Sequence, residues 1–96
     1  MRLKGGPAII GLMIVDYIQR ALDRAHYEKI EDKEPFYGEV PGLKGVWATG
    51  KSLEACRSHL AETVEGWIIV RLRKGLAIPK IDGIEVKPAT RLAMNA

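Results

Sequence analysis

Residues 36–73 read FYGEVPGLKGVWATGKSLEACRSHLAETVEGWIIVRLR, and this stretch decides the fold. Residues 36–40 form a short extended run that meets a corner at Pro41 and Gly42. A second extended run covers residues 45–49, and Gly50, Lys51 and Ser52 then hand the chain to a long helix over 53–74. Leu53, Cys56, Leu60, Val64, Trp67, Ile68 and Leu72 recur at helical spacing as its buried stripe. Ser52 is placed to cap the first turn, Glu54 suits the positive end of the helix dipole, and Arg71, Arg73 and Lys74 suit the negative end. Gly75 fits the left-handed position that ends a helix. Two facing strands backed by an amphipathic helix are close to the smallest unit that can bury a core.

Moving toward the N-terminus, Asp32, Lys33, Glu34 and Pro35 read as a turn, because Pro35 disfavours helix at Glu34. Residues 26–31 then read as a first strand paired with the second. Before it, Ile10, Met13, Ile14, Tyr17, Ile18, Ala21 and Leu22 keep helical spacing, which predicts a helix over 9–24 after a loose start over 1–8. Ile9, Leu12 and Val15 broaden its apolar stripe, as expected of a helix buried on more than one side. Toward the C-terminus, residues 84–86 read as a short last strand behind the Asp82-Gly83 turn, and 88–96 as a frayed tail. The expectation is one α+β domain over 1–96 in the order α-β-β-β-α-β, with a core over 25–87 and the long helix on one face of a small antiparallel sheet.

Apolar and aromatic residues fall on both faces of that sheet: Phe36 and Val40 share one parity, Tyr37 the other, and Trp47 opposes Val46 and Ala48. A sheet with one wet face alternates more cleanly. The second face therefore calls for the N-terminal helix, a sister subunit or a partner. Ile69 and Val70 lie off the helix stripe and, with Ile14 and Ile18, are the candidate oligomer interface. A homodimer or homotetramer is the expected state for a chain of 96 residues with so much apolar surface.

The formal net charge of +3 is too mild to diagnose nucleic-acid binding. Its distribution is uneven. Glu28, Glu31, Asp32, Glu34 and Glu39 make the first two strands acidic, whereas Arg71, Arg73, Lys74, Lys80, Lys87 and Arg91 make the last third basic. A single cysteine excludes an internal disulfide and fits a cytoplasmic setting. The apolar run over 7–15 is too short to span a membrane, and no small-residue cleavage site follows it.

The run from Gly45 to Ser52 fits the phosphate-loop pattern G-x-x-x-x-G-K-[ST] letter for letter. Residues 46–49 nevertheless read as strand rather than as a curled nest of backbone N–H groups, and no convincing magnesium-binding Asp ends a later apolar strand. Cys56 and His59 are one helical turn apart, but Cys56 lies on the apolar stripe and reads as a core residue. No further Cys could complete a zinc site, and the acids form no catalytic cluster. The chain is read as non-enzymatic, with no metal and no cofactor.

From Tyr27-Glu-Lys-Ile-Glu-Asp through Tyr37-Gly-Glu-Val-Pro-Gly-Leu-Lys-Gly-Val-Trp-Ala-Thr-Gly-Lys-Ser-Leu-Glu-Ala-Cys, the sequence resembles the HicB antitoxin-like family. Val40, Pro41, Leu43, Gly45, Gly50 and Ser52 carry the resemblance, and Leu76-Ala-Ile-Pro extends it. It implies a partial ribonuclease H-like fold without the nuclease acids. It also implies oligomerisation and binding of a small basic RNA-cleaving toxin of the HicA type. Residues after Val86 are too few for the appended DNA-binding module of many members, so direct DNA binding is not expected. For the partner surface the residues singled out are Glu28, Glu31, Asp32 and Glu39, with Tyr37 and Trp47 as apolar anchors. Two alternatives stand beside this: a stand-alone oligomeric or RNA-binding module, and nucleotide binding through the Gly45-to-Ser52 run, the weaker of the two.

Overall fold

The structure is a computed structural model that describes residues 6–86, with side chains from residue 13 onward. Helix α1 (Gly6–Arg24) leads into strands β1 (His26–Lys29), β2 (Phe36–Glu39) and β3 (Trp47–Gly50), and helix α2 (Leu53–Lys74) follows. The three strands form one antiparallel sheet in the order β1-β2-β3. The expected α+β order thus holds through α2. The loose start holds less far, because residues 6–8 already belong to α1, where Pro7 suits a first turn. Residues 1–5, and the expected tail over 88–96, lie outside the described residues.

The strands are shorter than their sequence runs because the turns reach into them. The Ile30 N–H donates to the Pro35 carbonyl at 2.8 Å, which ends β1 and closes the first hairpin. Asp32 accepts the Glu34 N–H with its side chain inside that turn, as Asp does in Asx turns. In the second hairpin, Gly42 and Gly45 have φ of 90° and 81°, a region costly for other residues. Gly45 therefore belongs to the turn, and β3 starts at Trp47 rather than at Gly45. Leu43 points inward from this loop and is buried.

Helix α2 begins and ends where its sequence signals place it. The Ser52 hydroxyl accepts the Ala55 N–H at 3.0 Å. At the other end Gly75 is left-handed, its N–H reaches the Leu72 carbonyl, and the Leu76 N–H reaches the Arg71 carbonyl. The buried stripe is narrower than the sequence suggests. Cys56, Leu60, Val64 and Ile68 are fully buried, Trp67 and Leu72 are half-buried, and Leu53 is exposed. Each complete burial of a Leu, Val or Ile side chain contributes roughly 1.5–3 kcal/mol.

Helix α1 packs along α2, with Tyr17, Ala21 and Leu22 joining the same core cluster as Leu60, Val64 and Ile68. The fully buried Tyr17 donates its hydroxyl to the Pro79 carbonyl at 2.6 Å, which anchors the segment after α2. Arg57 spans three elements: its guanidinium donates to the Leu22 carbonyl, the Tyr27 hydroxyl and Asp23. Arg24 pairs with Asp82 at 3.2 Å.

The last strand expected over 84–86 is not a member of the sheet. Among the described residues only an Ile81–Ile84 bridge forms, closing a two-residue turn in which Asp82 and Gly83 both have positive φ. Ile81 and Val86 are buried in the core instead.

Candidate functional site

Cross-strand register assigns every strand side chain to a face. Tyr27 opposes Gly38, which opposes Ala48, and Lys29 opposes Phe36, which opposes Gly50. This is the side that α2 covers. A Cβ on Gly38 would stand 2.8 Å from the Tyr27 ring and 3.3 Å from Cys56 Sγ. A Cβ on Gly50 would stand 2.4 Å from the Cys56 backbone nitrogen. The two glycines are what let the helix settle on the strands.

The opposite face carries two rows. One is His26–Glu39–Trp47 and the other is Glu28–Tyr37–Thr49. Neither helix covers it: α2 lies on the other side, and α1 packs on α2 rather than on the strands. Trp47 is 54% exposed. Its ring stacks on that of Tyr37, centroids 6.0 Å apart at 23°, a diagonal cross-strand contact of the kind that joins large side chains on one face. The Tyr37 hydroxyl donates to Glu39 Oε1 at 3.0 Å. Burial first, then this bond and the charges of Glu39 and Glu28, push the Tyr37 phenol above its ordinary range. Glu34 reaches from the turn to accept the Thr49 hydroxyl at 2.6 Å. The result is an aromatic pair framed by carboxylates.

Four of the sequence-derived candidates, Glu28, Tyr37, Glu39 and Trp47, thus meet on this face. Glu31 and Asp32 are exposed in the β1–β2 turn, at the end of the sheet rather than on it. Glu34 is already among the acids read beside the first two strands, and Thr49 shares the parity of Trp47; only His26 is given no part in the face by the sequence reading. Strand parity is the signal that finds His26, whereas Glu34 meets Thr49 only through the folding-back of the turn. Of the candidate oligomer residues, Ile14 and Ile18 are half-buried against the chain's own core, while Ile69 and Val70 stay 40% and 49% exposed.

The remaining motifs resolve into packing. The run from Gly45 to Ser52 is a turn residue, strand β3 and a helix cap, so its backbone is extended where a phosphate nest would curl. Cys56 donates its thiol to the Ala48 carbonyl at 3.6 Å, and burial, then the charge of Glu34, raises its pKa. His59 instead places Nδ1 2.8 Å from the Thr49 carbonyl. Among the described residues no three His, Cys, Asp or Glu side chains converge as metal ligands would, and no helix is long and apolar enough to cross a membrane.

A family model described as UPF0150-like matches residues 16–79, two thirds of the chain. The chain is also similar to a solved structure, that of TTHA0281 from Thermus thermophilus. Sequence identity is 42% and the TM-score is 0.73, over 77% of this chain and 97% of that one. No curated protein matches it.

Proposed function

The chain belongs to the UPF0150-like family, and from that premise we propose that it is a non-catalytic, antitoxin-like binding protein of the HicB type. Its open sheet face covers the active surface of a small basic RNA-cleaving partner. The observation that carries this reading is the uncovered Tyr37–Trp47 stack with Glu28, Glu34 and Glu39 around it. An RNA-cleaving protein needs a positive surface for phosphates. A face that offers carboxylates around an aromatic anchor complements such a surface in charge, and supplies the apolar centre that tight interfaces use. That a chain of net charge +3 gathers acids on this one face supports a dedicated surface over a generally solvated one.

The test is co-expression with the short basic reading frame nearest its gene, followed by co-purification and growth rescue. Reversing Glu28 and Glu39 to Lys together is expected to abolish rescue. Reversing Glu31 and Asp32, which lie off the face, is expected to weaken it only slightly. Intact binding by the Glu28/Glu39 variant would discard the acidic-face mechanism.

Self-association belongs to the same reading. Ile69, Val70 and Leu76 are all exposed at the C-terminal part of α2 and just beyond it, more apolar surface than a small monomer usually leaves wet. Light scattering at micromolar concentration is expected to give a dimer or tetramer, and Val70→Glu to shift it toward monomer.

A further inference from the structure

A second site lies behind the β2–β3 loop, on the helix side of the molecule. Gly42 and Lys44 from the loop, Trp67 and Arg71 from α2, and the segment 77–79 wall a pocket of about 300 Å³. That volume sits at the lower end of the range for small-molecule sites. Its walls are fixed from beneath. Arg71 donates Nε–H to the Ala77 carbonyl at 2.7 Å, and Tyr17 donates to the Pro79 carbonyl at 2.6 Å. The Arg71 guanidinium lies over the Trp67 ring, 5.0 Å from its centroid.

The charge of this pocket is unbalanced. The two ion pairs among the described residues are Arg24–Asp82 and Arg57–Asp23, and neither involves Lys44 or Arg71. With Nε committed, the terminal nitrogens of Arg71 remain as donors, and Lys44 lines the same pocket. Arg73 and Lys74 in the last turn of α2, and Lys80 directly after the 77–79 segment, add positive charge next to the pocket's walls in sequence. A half-buried guanidinium held flat by a carbonyl and an indole, with no carboxylate among the pocket's walls, is organised in advance for an anion.

A bare carboxylate or phosphate would fill little of the volume and make no use of the indole. A planar base joined to a phosphate uses both. We propose that this pocket binds a nucleotide, its phosphate between Lys44 and the terminal nitrogens of Arg71 and its base packed on the Arg71–Trp67 stack. The chemistry is that of a nucleoside monophosphate, whether free or exposed in single-stranded RNA. The site does not involve Lys51, which lies just before α2, at the far end of the helix.

The chain has two tryptophans, so Trp47→Phe leaves Trp67 as the sole indole reporter. In that background, AMP, UMP and a short unstructured RNA are titrated at low and moderate salt while Trp67 fluorescence is read. Saturable quenching that weakens with salt is expected. Lys44→Glu is expected to weaken binding about tenfold or more, and Lys51→Ala to leave it unchanged. Lys44 is exposed in a loop, so its variant keeps the fold even where an Arg71→Gln variant loses the Ala77 contact; circular dichroism confirms which. Quenching by mononucleotide alone assigns the site to free nucleotide, and quenching by RNA alone assigns it to a strand. No quenching by any of the three, quenching that Lys44→Glu leaves unaltered, or equal displacement by an acidic peptide would each overturn the proposal.

Discussion

Tyr37 and Gly38 are adjacent in β2 and live in opposite surroundings. Gly38 presses against the Tyr27 ring and the Cys56 sulfur under α2, while Tyr37 stacks on a half-exposed Trp47 with a glutamate on its hydroxyl. On the helix face Gly38, Ala48 and Gly50 leave room beside Tyr27 and Phe36, so that a helix can approach closely. The open face is built from large and charged residues. One face is shaped by packing within the chain. The other carries bulk and charge that neither helix covers.

The sharpest test of that contrast is to damage the dry face. Leu60→Ala removes a fully buried side chain from the centre of α2 and is expected to cost about 4 kcal/mol in urea unfolding. Gly50→Ala places a Cβ against the backbone of Cys56, where no flexible side chain can give way, and is expected to cost about 3 kcal/mol. A loss below about 1 kcal/mol for either would mean that the helix is not seated on the sheet as described.

The next effect belongs to the α1–α2 layer. Burial pushes the Tyr17 phenol from 10.0 up to about 12, with the nearby Arg71 charge partly opposing it. The folded chain then holds this proton where the unfolded chain has lost it. The associated stability is complete below pH 10 and is lost as pH rises from 10 toward 12, about 2–3 kcal/mol in all. Denaturation midpoints measured across that window should fall. Tyr17→Phe should flatten the fall, although it lowers stability at neutral pH by removing the bond to Pro79.

The smallest effects on stability are expected on the open face. Trp47→Ala and Glu39→Gln should each change unfolding free energy by no more than about 1 kcal/mol. The same Trp47→Ala change should cost about 2 kcal/mol or more in partner binding, read by calorimetry on the purified complex. If Trp47→Ala instead destabilises the isolated chain as much as Leu60→Ala does, the open face is structural and the contrast fails.

Several features were legible in the sequence because their causes are local. Ser52 caps α2 and Gly75 ends it, since a hydroxyl and a missing Cβ act within a few residues of themselves. The Pro41-Gly42 corner and the Asp82-Gly83 turn follow from the φ angles those residues accept. Alternation along β2 and β3 placed Tyr37 and Trp47 on opposite parity to Val40 and Ala48. What eluded the sequence depends on residues distant in the chain. Glu34 counts among the acids beside the first two strands, but its bond to Thr49 exists only because the turn folds it back. Trp67 and Arg71 read as helix stripe and helix end, and become a pocket only when the 77–79 segment and the β2–β3 loop close over them. The choice of α1 to lie on α2 rather than on the second sheet face was also tertiary. Periodicity shows that α1 has an apolar side but not which surface it meets, and the fully buried Tyr17, reaching Pro79, decides that.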